Sequence, residues 1–151
     1  MSEHSAAHAT FVIERNYPVP PGRVFEAFSN PEAKRQWFAG PGETRGEMDF
    51  RIGGRETASG AFPDGTVHRF EAFYYDIVPG QRIVFSYDMH LDQRRISVSL
   101  ATIEIAPQGP GSRLVFTEQG VFLDGYDDAG ARERGTMELL DALGAFLSRR
   151  G

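Results

Sequence analysis

The chain has 151 residues, the size of one ordinary domain and enough to bury a core. Hydrophobic residues make up 40% and charged residues 25%, the formal net charge is −5 and cysteine is absent. That composition excludes a disordered chain, disulfides, thiolate metal sites and cysteine nucleophiles. Basic residues are scattered in short pairs such as Arg94-Arg95, so the concentrated positive surface that nucleic acids or anionic membranes require is not expected.

In chain order, the polar start is read as a flexible tail over residues 1–9, with residues 10–150 as a single domain. The start lacks the charged-then-apolar signature of a secretory signal. No apolar run approaches the roughly 20 residues of a membrane span, so a cytoplasmic location without membrane insertion is expected. Phe11, Ile13 and Tyr17 fall at even spacing and predict a strand that Pro18 ends. Pro21 suits the first turn of a short helix to Phe28, and Asn30-Pro31 caps and opens a second one to about Phe38.

From there to about residue 122 the pattern is all strand. The run 47–52 alternates and stops at Gly53-Gly54, Asp64-Gly65 signals a hairpin, and Pro79-Gly80 and Gln108–Gly111 mark further turns. Consecutive strands joined by short turns predict an antiparallel meander. Ile96, Val98 and Leu100 are out of phase with Ile103 and Ile105, which predicts a bulge in the sheet. The last segment switches to helical spacing: Met137, Leu139, Leu140, Leu143, Phe146 and Leu147 form an apolar stripe, with Asp127 or Asp128 as cap. The expected fold class is therefore α+β. A curved antiparallel sheet of about six to seven strands carries two short helices and grips one long C-terminal helix, with a pocket between sheet and helix.

Several strings carry a resemblance beyond this order. They are Arg23-Val-Phe-Glu-Ala-Phe-Ser-Asn-Pro31 leading to Trp37, then Asp49-Phe-Arg-Ile-Gly-Gly54 and Val78-Pro-Gly-Gln-Arg-Ile-Val-Phe85. Ser112-Arg-Leu-Val-Phe-Thr-Glu-Gln-Gly120 and Gly135-Thr-Met-Glu-Leu-Leu140 follow. Over residues 10 to 148 the chain resembles the family of the C-terminal domain of the activator of the Hsp90 ATPase, within the superfamily of START and birch-pollen-allergen-like domains. The resemblance implies a helix-grip fold whose cavity holds an apolar or amphipathic small molecule. It also implies two alternatives: an enzyme of polyketide cyclase or hydrolase type, or a protein-interaction module acting with a chaperone or as a homodimer.

The residues themselves exclude most other chemistry. His4 and His8 lie in the tail, and His68 and His90 lie on different strands with no close carboxylate pair at ligand spacing, so no metal site is expected. There is no Gly-x-Ser-x-Gly elbow, and Ser97 and Ser99 read as ordinary strand serines. Gly53-Gly54 and Gly109–Gly111 read as turns rather than phosphate cradles. No cofactor and no catalytic residue is assigned.

Strand parity supplies the candidate pocket. If Leu114 and Phe116 face inward, so does Glu118; Ile83 and Phe85 carry Tyr87 and Met89 with them; Ile77 carries Tyr75, Phe73 and Glu71. Phe70, Ala72 and Tyr74 would then form an apolar patch on the outer face. Arg95 and Arg55 are candidate partners for the buried acids. Trp37 and Phe38 would line the mouth, and Met137 and Leu140 the helix wall. Gly135 reads either as a close helix–sheet contact, as does Gly144, or as room for a ligand.

Overall fold

In a computed structural model the chain is described over residues 4–38 and 43–150. Pro18 cannot donate to a strand ladder, and the first strand, β1 (Ala6–Tyr17), ends just before it. It begins at Ala6, inside the stretch read as a tail from sequence, because Ala6 to Ala9 pair with Leu123 to Gly120. Small residues and a histidine carry no strand signal of their own there, and the partner strand supplies the order.

Pro21, whose missing N–H is one of the unpaired donors of a helix start, opens α1 (Pro21–Ser29). Asn30 Oδ1 then accepts from the backbone N–H of Glu32 and Ala33 at the start of α2 (Pro31–Phe38). Six strands follow: β2 (Glu43–Met48), β3 (Arg55–Ala61), β4 (Val67–Val78), β5 (Arg82–Leu91), β6 (Arg94–Gln108) and β7 (Gly111–Leu123). β2 stops at Met48 rather than Ile52. The chain turns at 49–54 so tightly that a Cβ on Gly54 would sit 2.0 Å from the Asp49 carbonyl oxygen.

All pairings are antiparallel in the order β1-β7-β6-β5-β4-β3-β2. The final helix, α3 (Ala129–Arg150), is capped by Asp128, whose carboxylate accepts from the Ala131 N–H at 2.8 Å. It packs on β1, α1 and α2. This is the helix-grip α+β fold: a curved seven-stranded sheet around one long helix.

The sheet does contain the bulge that the isoleucine phase suggested: Met89 pairs with Ser97 but His90 with Arg95, which leaves Ile96 of β6 over, and Ile96 and Ser97 are buried in succession. β6 keeps an unbroken register with β7 from Ser97 to Gln108, and Val98 and Leu100 simply face outward, half-exposed. A second bulge lies on β4, where Tyr74 pairs with Phe85 and Asp76 with Val84, leaving Tyr75 over.

Two glycines of α3 have opposite surroundings. A Cβ at Gly144 would lie 3.3 Å from the Tyr17 ring, whose hydroxyl donates to the Leu140 carbonyl at 2.8 Å. Gly135 is exposed, with nothing within 4 Å, so it neither makes a close contact nor makes room for a ligand. The expected outcome is that Gly135→Ala raises stability by up to about 1 kcal/mol through helix propensity. Gly144→Leu lowers it by about 2 kcal/mol through overpacking. Urea unfolding of the two variants checks both signs.

Candidate functional site

The inward residues line up in rows across the strands. One row runs Glu56, Ala72, Tyr87, Ser99, Gly120 from β3 to β7. A second runs Tyr74, Phe85, Ala101, Glu118, ending on Phe11 of β1. A third runs Ala58, Phe70, Met89, Ser97, Phe122. Small residues at 58, 72, 101 and 120 leave the aromatic rings standing beside a shallow trough, roofed by α2 and the first turns of α3.

The rings touch in chains. Phe38 of α2 meets Phe70 at 5.2 Å between centroids, Phe70 meets Tyr87 at 5.2 Å, and Tyr87 and Tyr74 flank Phe85 at 5.9 and 6.0 Å. The face is buried throughout: Ile83, Ile103 and Leu114 are closed off completely, and Phe70, Phe85, Tyr87 and Phe116 keep no more than 8% of their surface.

Each end of the trough holds a buried carboxylate. Glu118 is fully buried. The single Tyr87 O–H is shared between its two oxygens, at 2.8 and 2.7 Å, Ser99 donates to Oε2 at 2.7 Å, and Arg132 of α3 approaches Oε2 at 3.4 Å. Arg132 also donates to the Tyr87 hydroxyl, to Ser97 at 2.7 Å and to Asp127 at 2.9 Å. Burial raises the Tyr87 phenol far above its ordinary value, the Glu118 charge adds to this and Arg132 opposes it. The Arg132 guanidinium is raised as well: burial works against its charge, but Tyr87, Glu118 and Asp127 outweigh it. These contacts reach the Glu118 carboxylate from β5 and β6 on the sheet's inner face and from α3. It is a structural centre that ties β5, β6, β7 and α3 together.

At the other end Lys34 of α2 donates to Glu56 Oε1 at 2.7 Å, and Tyr74 donates to the same oxygen. Lys34 also lies 4.4 Å from the centre of the Phe38 ring. A separate cleft of about 900 Å³ lies at the edge of the sheet, lined by Arg35, Gly46, Glu47 and Ala58 and by the outward Ser59 and Arg69, and not by Lys34, Glu56 or the rings above.

The candidate residues therefore divide. Trp37, Phe38, Phe85, Tyr87, Met89, Glu118, Met137 and Leu140 all lie on the core side. Glu71, Phe73 and Tyr75 do not. They are on the outer face, where Tyr75 is 55% exposed, Phe73 stacks on it at 4.8 Å, Arg55 covers Phe73 and Arg69 pairs with Glu71. Phe70, Ala72 and Tyr74, assigned to the outer face from sequence, are buried inside. The cause is the bulge at Tyr75: counting by twos from Ile77 crosses it and inverts everything upstream. Arg95 pairs instead with Asp88.

Arg132, Lys34, Glu56 and Gly120 were missed. Arg132 carried a signal, because it lies eight residues before Leu140 and shares its stripe through Thr136. Lys34 sits three residues before buried Trp37. Glu56 had none, since Thr57 and Ser59 offer an equally good inward set. Gly120 matters for what it lacks: a Cβ there would come 2.9 Å from the Ser99 hydroxyl that serves Glu118.

The comparisons with known proteins agree with this fold. The family model of Activator of Hsp90 ATPase homolog 1-like protein matches residues 18–148. The chain belongs to that family. Family membership places it in the START and birch-pollen-allergen-like superfamily. Its fold recurs in an uncharacterized protein from Rhizobium leguminosarum, at 52% identity and a TM-score of 0.92, over 97% of this chain and 98% of that one. A Rhizobium loti protein is 48% identical, with a TM-score of 0.89, over 94% of this chain and 99% of that one. A Chromobacterium violaceum protein is 27% identical, with a TM-score of 0.75, over 91% and 96%. None of the curated proteins matches the chain. No helix among the described residues is long and apolar enough to cross a membrane.

Proposed function

We propose that this protein binds a hydrophobic or amphipathic small molecule in the trough between sheet and helices. The observation that carries the reading is the belt of touching rings on one inner face, Phe38, Phe70, Phe85 and Tyr87, with the small Ala58, Ala72 and Ala101 between them. An apolar guest held against such rings gains about 2.5 kcal/mol for each 100 Å² taken out of water. The superfamily fold generally binds small hydrophobic ligands, which supports the same reading.

Fluorescence titration with Nile red, an uncharged lipophilic dye, tests it. Ala72→Phe, which fills the trough beside Tyr87, is expected to weaken the dye at least tenfold. Val98→Phe on the outer face should leave it unchanged. Equal loss, or no dye binding by the unmodified protein, would sink the reading.

A further inference from the structure

The two buried carboxylates differ in one respect that bears on what the trough selects. Glu118 has donors on both oxygens, but all the donors to Glu56 converge on Oε1. No donor among the described residues reaches Glu56 Oε2. Nor is that oxygen sealed away, because the one buried side-chain atom without a partner among the described residues is His90 Nδ1. Lys34 is similarly half-used. Of its three N–H bonds one serves Glu56 and one side faces the Phe38 ring, leaving a donor over. Both groups are about 5% exposed, and Glu56 pairs across the sheet with Ala72, beside Tyr87 in the same row.

A vacant acceptor beside a vacant donor is complementary to a group that both accepts and donates. We propose that Lys34 and Glu56 form a subsite for the neutral hydroxyl of an alcohol or phenol whose apolar body lies along Phe70, Phe85 and Tyr87. The hydroxyl oxygen accepts from Lys34 Nζ and its O–H donates to Glu56 Oε2. A ligand carboxylate would face the unshielded Glu56 oxygen and offer it no proton. A ligand ammonium would face Lys34. Either leaves like charges together where little water screens them. A hydrocarbon would cover both polar atoms without pairing them. This inference rests on the binding reading above and adds the chemistry of the ligand's polar end.

Displacement of Nile red by three isosteric probes at pH 7 tests it: 2-naphthol, 2-naphthoate and 2-methylnaphthalene. The expected result is that 2-naphthol displaces the dye at concentrations at least tenfold lower than either of the others. Lys34→Met alone would strand Glu56, so the comparison variant is the double Lys34→Met/Glu56→Leu, which removes both charges. It should keep Nile red and 2-methylnaphthalene binding while the 2-naphthol advantage falls to less than twofold. If 2-naphthoate matches or exceeds 2-naphthol, or the advantage survives in the double variant, the hydroxyl subsite is overturned while the apolar trough stands. Failure of Nile red and all three probes would overturn both.

Discussion

Replacing Arg132 with methionine is expected to lower the free energy of unfolding by about 3–5 kcal/mol, the typical cost of stranding a buried charge. Glu118 has no exposure to water, so it cannot recover solvation once its cation is gone. Asp127 and Ser97 lose the same partner. In a chain of this length such a loss corresponds to a melting point about 6–20 °C lower. Arg132→Lys should fall between the two, since a single ammonium cannot bridge Tyr87, Ser97 and Asp127 as a planar fork does. Adding Glu118→Gln to Arg132→Met should restore at least half of the loss, because Tyr87 and Ser99 can still pair with a neutral amide. Urea unfolding followed by far-UV circular dichroism measures all three. A single Arg132→Met variant within about 0.5 kcal/mol of the unmodified protein would mean that Glu118 is not held as an ion.

The second large effect is alkaline. Tyr17, Tyr74 and Tyr87 are all raised well above the ordinary phenol value of 10.0, in each case first by burial. For Tyr74 the Glu56 charge adds to it; for Tyr17 Arg15 partly offsets it. The folded chain therefore holds three protons that the unfolded chain releases near pH 10. Their contribution is fully present below pH 10 and is lost as pH climbs from there toward the folded-state values. Each such proton costs about 1.4 kcal/mol per pH unit, so three give a slope of about 4 kcal/mol per unit. Against a stability of about 5–15 kcal/mol, cooperative unfolding is expected within one to four units above pH 10. The phenolate absorbance of these three tyrosines should rise together with the loss of helical circular dichroism, and Tyr87→Phe should reduce the slope by about a third. Three tyrosines ionising ahead of unfolding would contradict their burial.

The sequence carried the local grammar well, because caps and turns are set by neighbouring residues. Pro21, Asn30, Asp128 and the Asp64-Gly65 turn, where Thr66 donates to Asp64, all act where their chemistry places them. The inward direction of Tyr87 and Glu118 was also legible, since no irregularity separates them from Ile83 and Leu114. Direction failed at Glu71, Phe73 and Tyr75 for a non-local reason. The bulge at Tyr75 arises from how β4 fits β5, and Phe73-Tyr74-Tyr75 offers aromatic rings to either face. The pairing of Lys34 with Glu56 was out of reach for the same kind of reason, since it joins a helix to a strand through the curvature of the whole sheet.

The pairing of β1 with β7 sets a schedule for the chain during synthesis. Tyr17 faces Ser112 and Ala6 faces Leu123, so the first strand made has no partner until more than 110 residues have been joined. β2 to β6 can zip locally, each on its neighbour, while β1 waits. Until β7 emerges, β7's edge of the sheet does not exist, and the Phe11 and Ile13 side chains have only solvent or a foreign surface to meet. Closure, and with it the roof over the aromatic rings, is thus an event of the last part of translation. A ribosome stalled before residue 111 would display an adhesive strand rather than a half-built cup.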